Sequence, residues 1–431
     1  DVFGMDVARY GAFASNDDYL RARTTQFYAR RFVISYPNEE LPAGRPMKTS
    51  PSHDLLAQEG AVFGVTHGME TPQYFVPGGE AFQEIPTLRR PDAGRFIEAE
   101  VQAVRHAAGI FDSSVYARYE VAGPGAAAWL DRLVASRLPG LGRVRLAPML
   151  GHSGRLLGDL TISRLGEDRF WLVGSYYLQE WHMRWFAGFL PAAGVSVMNL
   201  SDAWTGFAIS GPKSRALMQR LVSAEMSNEA FPFLSCREMA VAGADAMVAR
   251  ISLTGELGYE VNVKAGDHRA AYLAIREAGR DLGLMPVGNR ALDSLRLEKS
   301  YGILSAEFTQ DDRADEVGLD RHVDRTKPDF IGRRAVLAAG PATRRLVTFV
   351  VETEDADAAP FTAVRKGGQV VGHVTSGVYG YHVGQSLALA MVRVEALADP
   401  EGLTVDVIGE PRPARLLAGP AYDPKGLRIR S

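Results

Sequence analysis

From about residue 95 onward, apolar and polar positions alternate between the three-to-four spacing of helices and the two-residue spacing of strands. Residues 96–108 predict an amphipathic helix stopped by Gly109. Residues 117–122 alternate as a strand, Gly123-Pro124-Gly125 turns the chain, and 126–134 follow as a helix with Trp129, Leu130 and Leu133 on one side. Proline just inside a helix start is tolerated because the first-turn amides have no partner in the helix. The unit recurs as strand 206–210, turn Gly211-Pro212 and helix 214–222, with Leu217, Met218 and Leu221 on one face. Strand, Gly-Pro and helix, twice, predict a duplicated α+β half-domain with any ligand between the halves.

Between the repeats, 145–149, 158–165 and 169–174 predict an antiparallel meander. Residues 177–190 predict a helix whose Trp181, Trp185 and Phe189 stripe belongs to the core. Residues 247–253 and 259–263 alternate around Thr254-Gly-Glu-Leu-Gly258, a hairpin or a bulged strand. Asp267 caps a helix through 280, and 290–299 form another. Beyond 345 the pattern is nearly all β, with strands at 346–351, 363–365, 370–374, 387–394 and 403–408 and a turn at Lys366-Gly-Gly-Gln369. Such spacing predicts a small barrel or sandwich, with residues 355–359 a mobile loop. At the other end, 17–31 predict a helix capped by Asn16, with Leu20, Phe27 and Tyr28 as its apolar positions. Tyr36-Pro37, Leu41-Pro42, Arg45-Pro46 and Ser50-Pro51 then keep the chain extended. Three parts are expected: an irregular, wrapped segment at 1–88, paired α+β halves at 89–340, and a β domain at 341–431.

Composition adds mainly exclusions. A chain of 431 residues with 46% hydrophobic and 23% charged residues reads as an ordinary multi-domain globular protein. Net charge of −3 and scattered arginines predict no nucleic-acid partner. No apolar run approaches a membrane span, so a cytoplasmic protein is expected. The single cysteine, Cys236, excludes an intramolecular disulfide and a cysteine zinc site, and reads as a buried, inert thiol. The nine histidines are dispersed and predict no metal. Neither a Gly-x-Gly-x-x-Gly turn nor a P-loop is present, so no nucleotide or FAD domain is legible. Asp1-Val-Phe-Gly-Met is neither a signal peptide nor a natural start, and a preceding segment is expected.

Carboxylates are therefore the candidate chemistry. Asp159 ends a glycine-flanked turn, and Glu256 and Glu260 sit in the glycine-flanked hairpin. A carboxylate fixed on a strand accepts two parallel hydrogen bonds from an aminopyrimidine-like edge. A second can orient a reacting nitrogen, hold its proton or stabilise a developing cation. Gly255 and Gly258 would let a flat ring approach the backbone. A solvated loop is the plainer reading of Glu256, and of Asp159 taken alone.

The residues also carry a resemblance. Arg250-Ile-Ser-Leu-Thr-Gly-Glu-Leu-Gly-Tyr-Glu260 resembles the signature of the glycine-cleavage aminomethyltransferase family. Leu292-Asp-Ser-Leu-Arg-Leu-Glu-Lys299, Val374-Thr-Ser-Gly377 and Gly154-Arg-Leu-Leu-Gly-Asp159-Leu-Thr match it too, in order, across roughly 100–420. Tyr379-Gly-Tyr-His-Val-Gly-Gln-Ser-Leu-Ala388 is more similar to the folate-binding half of dimethylglycine and sarcosine dehydrogenases. Tyr36-Pro-Asn-Glu-Glu40, Arg45-Pro46, Ser50-Pro51 and Gly60-Ala-Val-Phe-Gly64 resemble the segment C-terminal to the FAD domain in those enzymes.

The resemblance implies a three-domain α+β cloverleaf with a C-terminal β-barrel and a central folate channel. It implies tetrahydrofolate as cofactor, with Asp159 beside the reactive nitrogens and Glu260 on the pterin amino edge, adjoined by Tyr259. Phe233 would pack on the folate, and Arg250 and Glu256 complete the cofactor-binding set. FAD would belong to a domain or subunit outside this chain, packed on 1–88. The implied reaction captures an iminium or formaldehyde unit from a small N-methylated substrate as 5,10-methylene-tetrahydrofolate. Two alternatives stand beside it. One is a flavin-independent demethylase using a sulfonium, methoxy or quaternary amine donor; the other is a non-catalytic folate-binding scaffold. Two departures bear on the substrate: Leu253 replaces the signature aromatic, and Met69-Glu-Thr71-Pro-Gln-Tyr74 replaces a more aromatic segment.

Overall fold

The structure, a computed structural model, describes residues 11–431; the Asp1 to Met5 start lies outside the described residues. Two antiparallel-rich sheets and a closed barrel make up the body of the fold, joined by a short hairpin. In the five-stranded sheet the order is Val144–Leu150, Leu156–Gly166, Arg169–Ser175, Tyr116–Ala122, Ser196–Asn199. In the six-stranded sheet it is Cys236–Val241, Ala244–Ala249, Gly258–Lys264, Trp204–Ser210, Ala108–Asp112, Leu284–Pro286. The first four strands of each sheet share one topology, in which the opening strand pairs with the last of the meander.

The halves also exchange their leading strands. Ser196–Asn199, which leads into the second half, pairs with Tyr116–Ala122 of the first. Ala108–Asp112, which leads into the first, pairs with Trp204–Ser210 of the second. The two Gly-Pro turns receive these crossings. Gly125 N–H donates to Gly194 O at 2.9 Å, and Lys213 N–H donates to Ala107 O at 2.9 Å. Gly123 and Gly211 take φ of 119° and 132°. A Cβ on either would stand 2.5 Å from that same carbonyl oxygen, so glycine is required by space as well as by angle. A buried pair repeats in each half with the same 63-residue separation: Tyr119 OH with His182 Nδ1 at 3.0 Å, and Thr205 Oγ1 with His268 Nδ1 at 2.6 Å.

Helix Gly94–His106 and helix Asn289–Glu298 pack together over the hairpin Ala61–Thr66/Met69–Phe75, burying Tyr74, Phe96, Val101, Val104 and Leu295. The second helix also leans on the barrel, where Ser294 Oγ donates to Tyr379 O at 3.0 Å. The barrel has six strands, one more than its sequence pattern indicates, because Glu410–Leu416 closes it despite Pro411 and Pro413.

Some expectations need correction. The helix from residue 94 ends at His106, and Gly109 lies inside a strand, where a Cβ would crowd Val104 and Val287. Residues 355–359 are not a mobile loop. Ala356 and Ala358 are buried, Arg90 pairs with Asp357 at 2.9 Å, and Ser386 Oγ donates to Asp357 at 2.6 Å. Asn16 does cap a helix, Asp17–Ala29, through Tyr19 N–H at 2.9 Å. Its apolar residues, however, are outside: Phe27 is 68% and Tyr28 64% exposed. Cys236 is buried, and burial pushes its thiol up to about 11. No helix among the described residues is long and apolar enough to cross a membrane.

Candidate functional site

Asp159 stands on Leu156–Gly166 opposite Pro148 in the first half, where strand alternation turns it away from the buried Leu160. It is surrounded by protein yet keeps accessible surface. Among the described residues its carboxylate has no hydrogen-bond partner beyond its own backbone N–H, and burial raises it to about 6. Glu260 stands on Gly258–Lys264 in the second half, between Ala208 and Ala249 of the flanking strands. It too keeps accessible surface at depth. Burial raises it to about 7, opposed only by the charge of Arg118.

Tyr116, at the start of Tyr116–Ala122, connects them. Burial pushes its hydroxyl up to about 12, followed by the charge of Glu260, with Asp293 and Asp159 adding to it and Arg118 opposing. Carboxylates of the first half, the second half and helix Asn289–Glu298 thus all bear on the same hydroxyl. Tyr177, beside Asp159, is raised by burial and by the Asp159 charge.

Arg118 fixes this juxtaposition. Its side chain leaves the same strand face as Tyr116 and crosses to the second half, donating from Nε to Asn262 Oδ1 at 2.7 Å. Asn262 is two residues from Glu260 and so shares its face. Nη1 donates to Tyr116 O at 2.8 Å and Nη2 to Ser113 O at 2.8 Å.

The hairpin motif divides differently from the expectation that all its polar residues hold cofactor. Tyr259 faces the core, fully buried and stacked near Phe231, because alternation sends it away from Glu260. Arg250 is buried and donates to Phe231 O at 2.8 Å and Ser431 O at 2.6 Å, tying the C-terminal segment down. Glu256 is buried on Arg105 at 3.1 Å and accepts from Tyr422 OH at 2.6 Å; Arg105 in turn pairs with Glu298 at 2.6 Å. These three side chains pack or bond within the protein, whereas the Glu260 carboxylate has no hydrogen-bond partner among the described residues. Gly255 does not admit a flat ring: a Cβ there would meet the Lys299 side chain at 2.5 Å. Phe233 is half-buried in the turn before Cys236–Val241, its carbonyl accepting from Arg143 at 2.8 Å.

Sequence reasoning missed Tyr116, Arg118, Asn262 and Asp293. Asp293 lies inside the Leu292–Lys299 helix motif, and Arg118 lies in the predicted strand 117–122 with Tyr116 just before it, on one face of the observed strand. Nothing in the sequence says that the face looks across to Glu260, since that depends on the exchange of strands.

Residues 52–327 match the family described as GCVT N-terminal domain, and 344–423 match the glycine cleavage T-protein C-terminal barrel domain. Residues 1–50 match the FAD dependent oxidoreductase central domain. The chain is 30% identical over 425 residues to mitochondrial dimethylglycine dehydrogenase of Rattus norvegicus, covering 97% of this chain and 50% of that protein. It is 31% identical to 4-methylaminobutanoate oxidase (formaldehyde-forming) of Paenarthrobacter nicotinovorans, covering 100% of this chain and 52% of that protein. The chain therefore spans about half the length of these relatives. In structure it is similar to the glycine cleavage system aminomethyltransferase T of Bartonella henselae, with a TM-score of 0.76 and 24% identity over 88% of this chain and 98% of that one. With its mixed α/β body and closed six-stranded barrel, the chain belongs to the aminomethyltransferase family of the glycine cleavage T-protein.

Proposed function

We propose that this chain binds tetrahydrofolate and captures a one-carbon unit released by oxidation of a small N-methylated amine. It would be the folate-binding part of an enzyme like dimethylglycine or sarcosine dehydrogenase. The observation carrying this is one group of side chains: Asp159, Glu260 and the Tyr116 hydroxyl are deep in the fold, accessible, and their side chains have no hydrogen-bond partner on other described residues. Unpartnered polar groups at depth are costly unless a ligand completes them. Their donor and acceptor types fit a pterin, whose amino edge donates to a carboxylate.

Bound tetrahydrofolate would supply the nucleophilic nitrogens that take the iminium or formaldehyde carbon to give 5,10-methylene-tetrahydrofolate. Glu260 would hold the amino edge and set the ring's orientation. Asp159, raised to about 6, is poised near neutrality to accept or return a proton at its carboxylate and to stabilise nearby positive charge. Enclosure by both halves would exclude water and keep the reactants together.

The oxidation would take place on a flavoprotein domain or subunit outside this chain, packed on the N-terminal part. Two observations support that: the match of residues 1–50, and the exposure of Phe27, Tyr28, Phe32 and Ile34. In the full-length enzyme, free formaldehyde per substrate oxidised should be low with tetrahydrofolate present. Asp159→Ala should raise it several-fold without slowing oxidation. Unchanged coupling in that variant would refute the role of Asp159.

A further inference from the structure

A buried guanidinium is ordinarily matched by a carboxylate, because the cost of desolvating its charge is otherwise uncompensated. Arg105, Arg250 and Arg118 are all buried in this chain, and the matching differs. Arg105 has two carboxylates. Arg118, 1% exposed, makes no ion pair among the described residues, and its acceptors are the Asn262 amide oxygen, two backbone carbonyls and the Ser113 hydroxyl. All are neutral, so its charge acts on the groups beyond them.

Those groups are few. On its own strand is Tyr116, and on the neighbouring Ala108–Asp112 is Asp112, whose carboxylate accepts from Ser114 N–H at 2.9 Å. Helix His268–Ala278 brings His268, held neutral by burial and bonded to Thr205. Tyr176 lies beside it from the first half. Asp159 and Asp293 bear on Tyr116, and on the strand that Arg118 reaches is Glu260. Glu260 is the acid whose field on Arg118 is the largest among these, and Arg118 is the one charge that favours the Glu260 carboxylate.

We infer that Arg118 is a positioning residue acting through Glu260, its charge left uncancelled by neutral acceptors so that it holds Glu260 in the carboxylate form a pterin edge requires. This rests on the reading that Glu260 grips the pterin. Arg118 does not touch the ligand; its hydrogen bonds hold the two halves in register while its field keeps the proton off Glu260. Asn262 completes the device by anchoring Nε without neutralising it. An aspartate there would hold the guanidinium equally well and cancel its charge.

The test is the pH dependence of tetrahydrofolate binding to the chain, by calorimetry under anaerobic conditions from pH 5.5 to 9. Wild-type affinity should fall as pH drops through about 7, where Glu260 takes up its proton. Arg118→Gln should move that midpoint up by about one pH unit, weakening binding roughly fivefold at pH 7 and leaving it within about twofold at pH 9. Arg118→Lys, which keeps the charge, should retain the wild-type midpoint. Should Arg118→Gln not fold, Asn262→Asp, near-isosteric and retaining Arg118, should shift the midpoint in the same direction. Equal weakening at every pH, or no shift of midpoint in the folded variant, would overturn the inference. Absence of binding by the wild-type chain would instead refute the folate reading itself.

Discussion

At the scale of single residues, the conspicuous motif and the partnerless acids overlap at Glu260 alone. Of Arg250, Glu256, Tyr259 and Glu260, three bond or stack with other parts of the protein, while the Glu260 carboxylate has no hydrogen-bond partner among the described residues. Period-two alternation already separates Glu260 from its neighbour Tyr259, so that part was legible in the sequence. That Glu256 would be swallowed by Arg105 and Tyr422, 151 and 166 residues away along the chain, was not. The distinction is measurable. Glu256→Gln breaks a buried ion pair and should cost roughly 3 kcal/mol of stability or more in denaturant unfolding. The fraction that remains folded should bind tetrahydrofolate within about twofold of wild type, since both partners of Glu256, Arg105 and Tyr422, are protein groups. The two raised acids, Asp159 and Glu260, carry the reverse signature. Burial raises Asp159 to about 6 and Glu260 to about 7, so between the unfolded and folded values the native state binds more protons, and stability falls as pH rises through that window. Asp159→Asn should therefore raise the apparent melting midpoint by about 2–4 °C at pH 8 and leave it unchanged near pH 4. An equal shift at both pH values would contradict the assignment of that cost to a buried charge.

At the scale of elements, the pattern of strand, Gly-Pro and helix was visible twice in the chain, but the exchange of leading strands was not. Each exchanged strand is short, and Ser196–Asn199 is mostly exposed, so hydrophobic alternation carries little signal there. What marks the crossings is the left-handed glycine of each turn, packed on the carbonyl that precedes the incoming strand. Gly123→Ala and Gly211→Ala should each destabilise by about 2 kcal/mol or more, through positive φ and through contact with a backbone oxygen that cannot move aside. Gly188→Ala, at a helical position with open space around it, is the control and should be neutral or slightly stabilising. The barrel was legible except for its closing strand. Two prolines disguised Glu410–Leu416, a strand whose exposed residues show why they are tolerated there.

At the scale of the whole molecule, each acid that bears on Tyr116 comes from a different part of the chain. Asp159 comes from one half, Glu260 from the other, and Asp293 from the helix that seats the barrel. Arg118 stitches the halves with bonds to Ser113 and Asn262. Exposed apolar residues cluster around helix Asp17–Ala29, beside the match of residues 1–50 to the FAD dependent oxidoreductase central domain, and are the partner surface proposed above. Phe27→Glu should accordingly weaken association with a flavoprotein domain in pull-down or sedimentation, and leave the melting midpoint of this chain unchanged. The central claim is that the partnerless acids of the two halves form one folate site. Calorimetric titration of tetrahydrofolate into wild type and Glu260→Gln at pH 8 tests it most directly. Saturable one-to-one binding in wild type, weakened at least tenfold in the variant, is the predicted result; no saturable binding, or equal affinity in both, would contradict it.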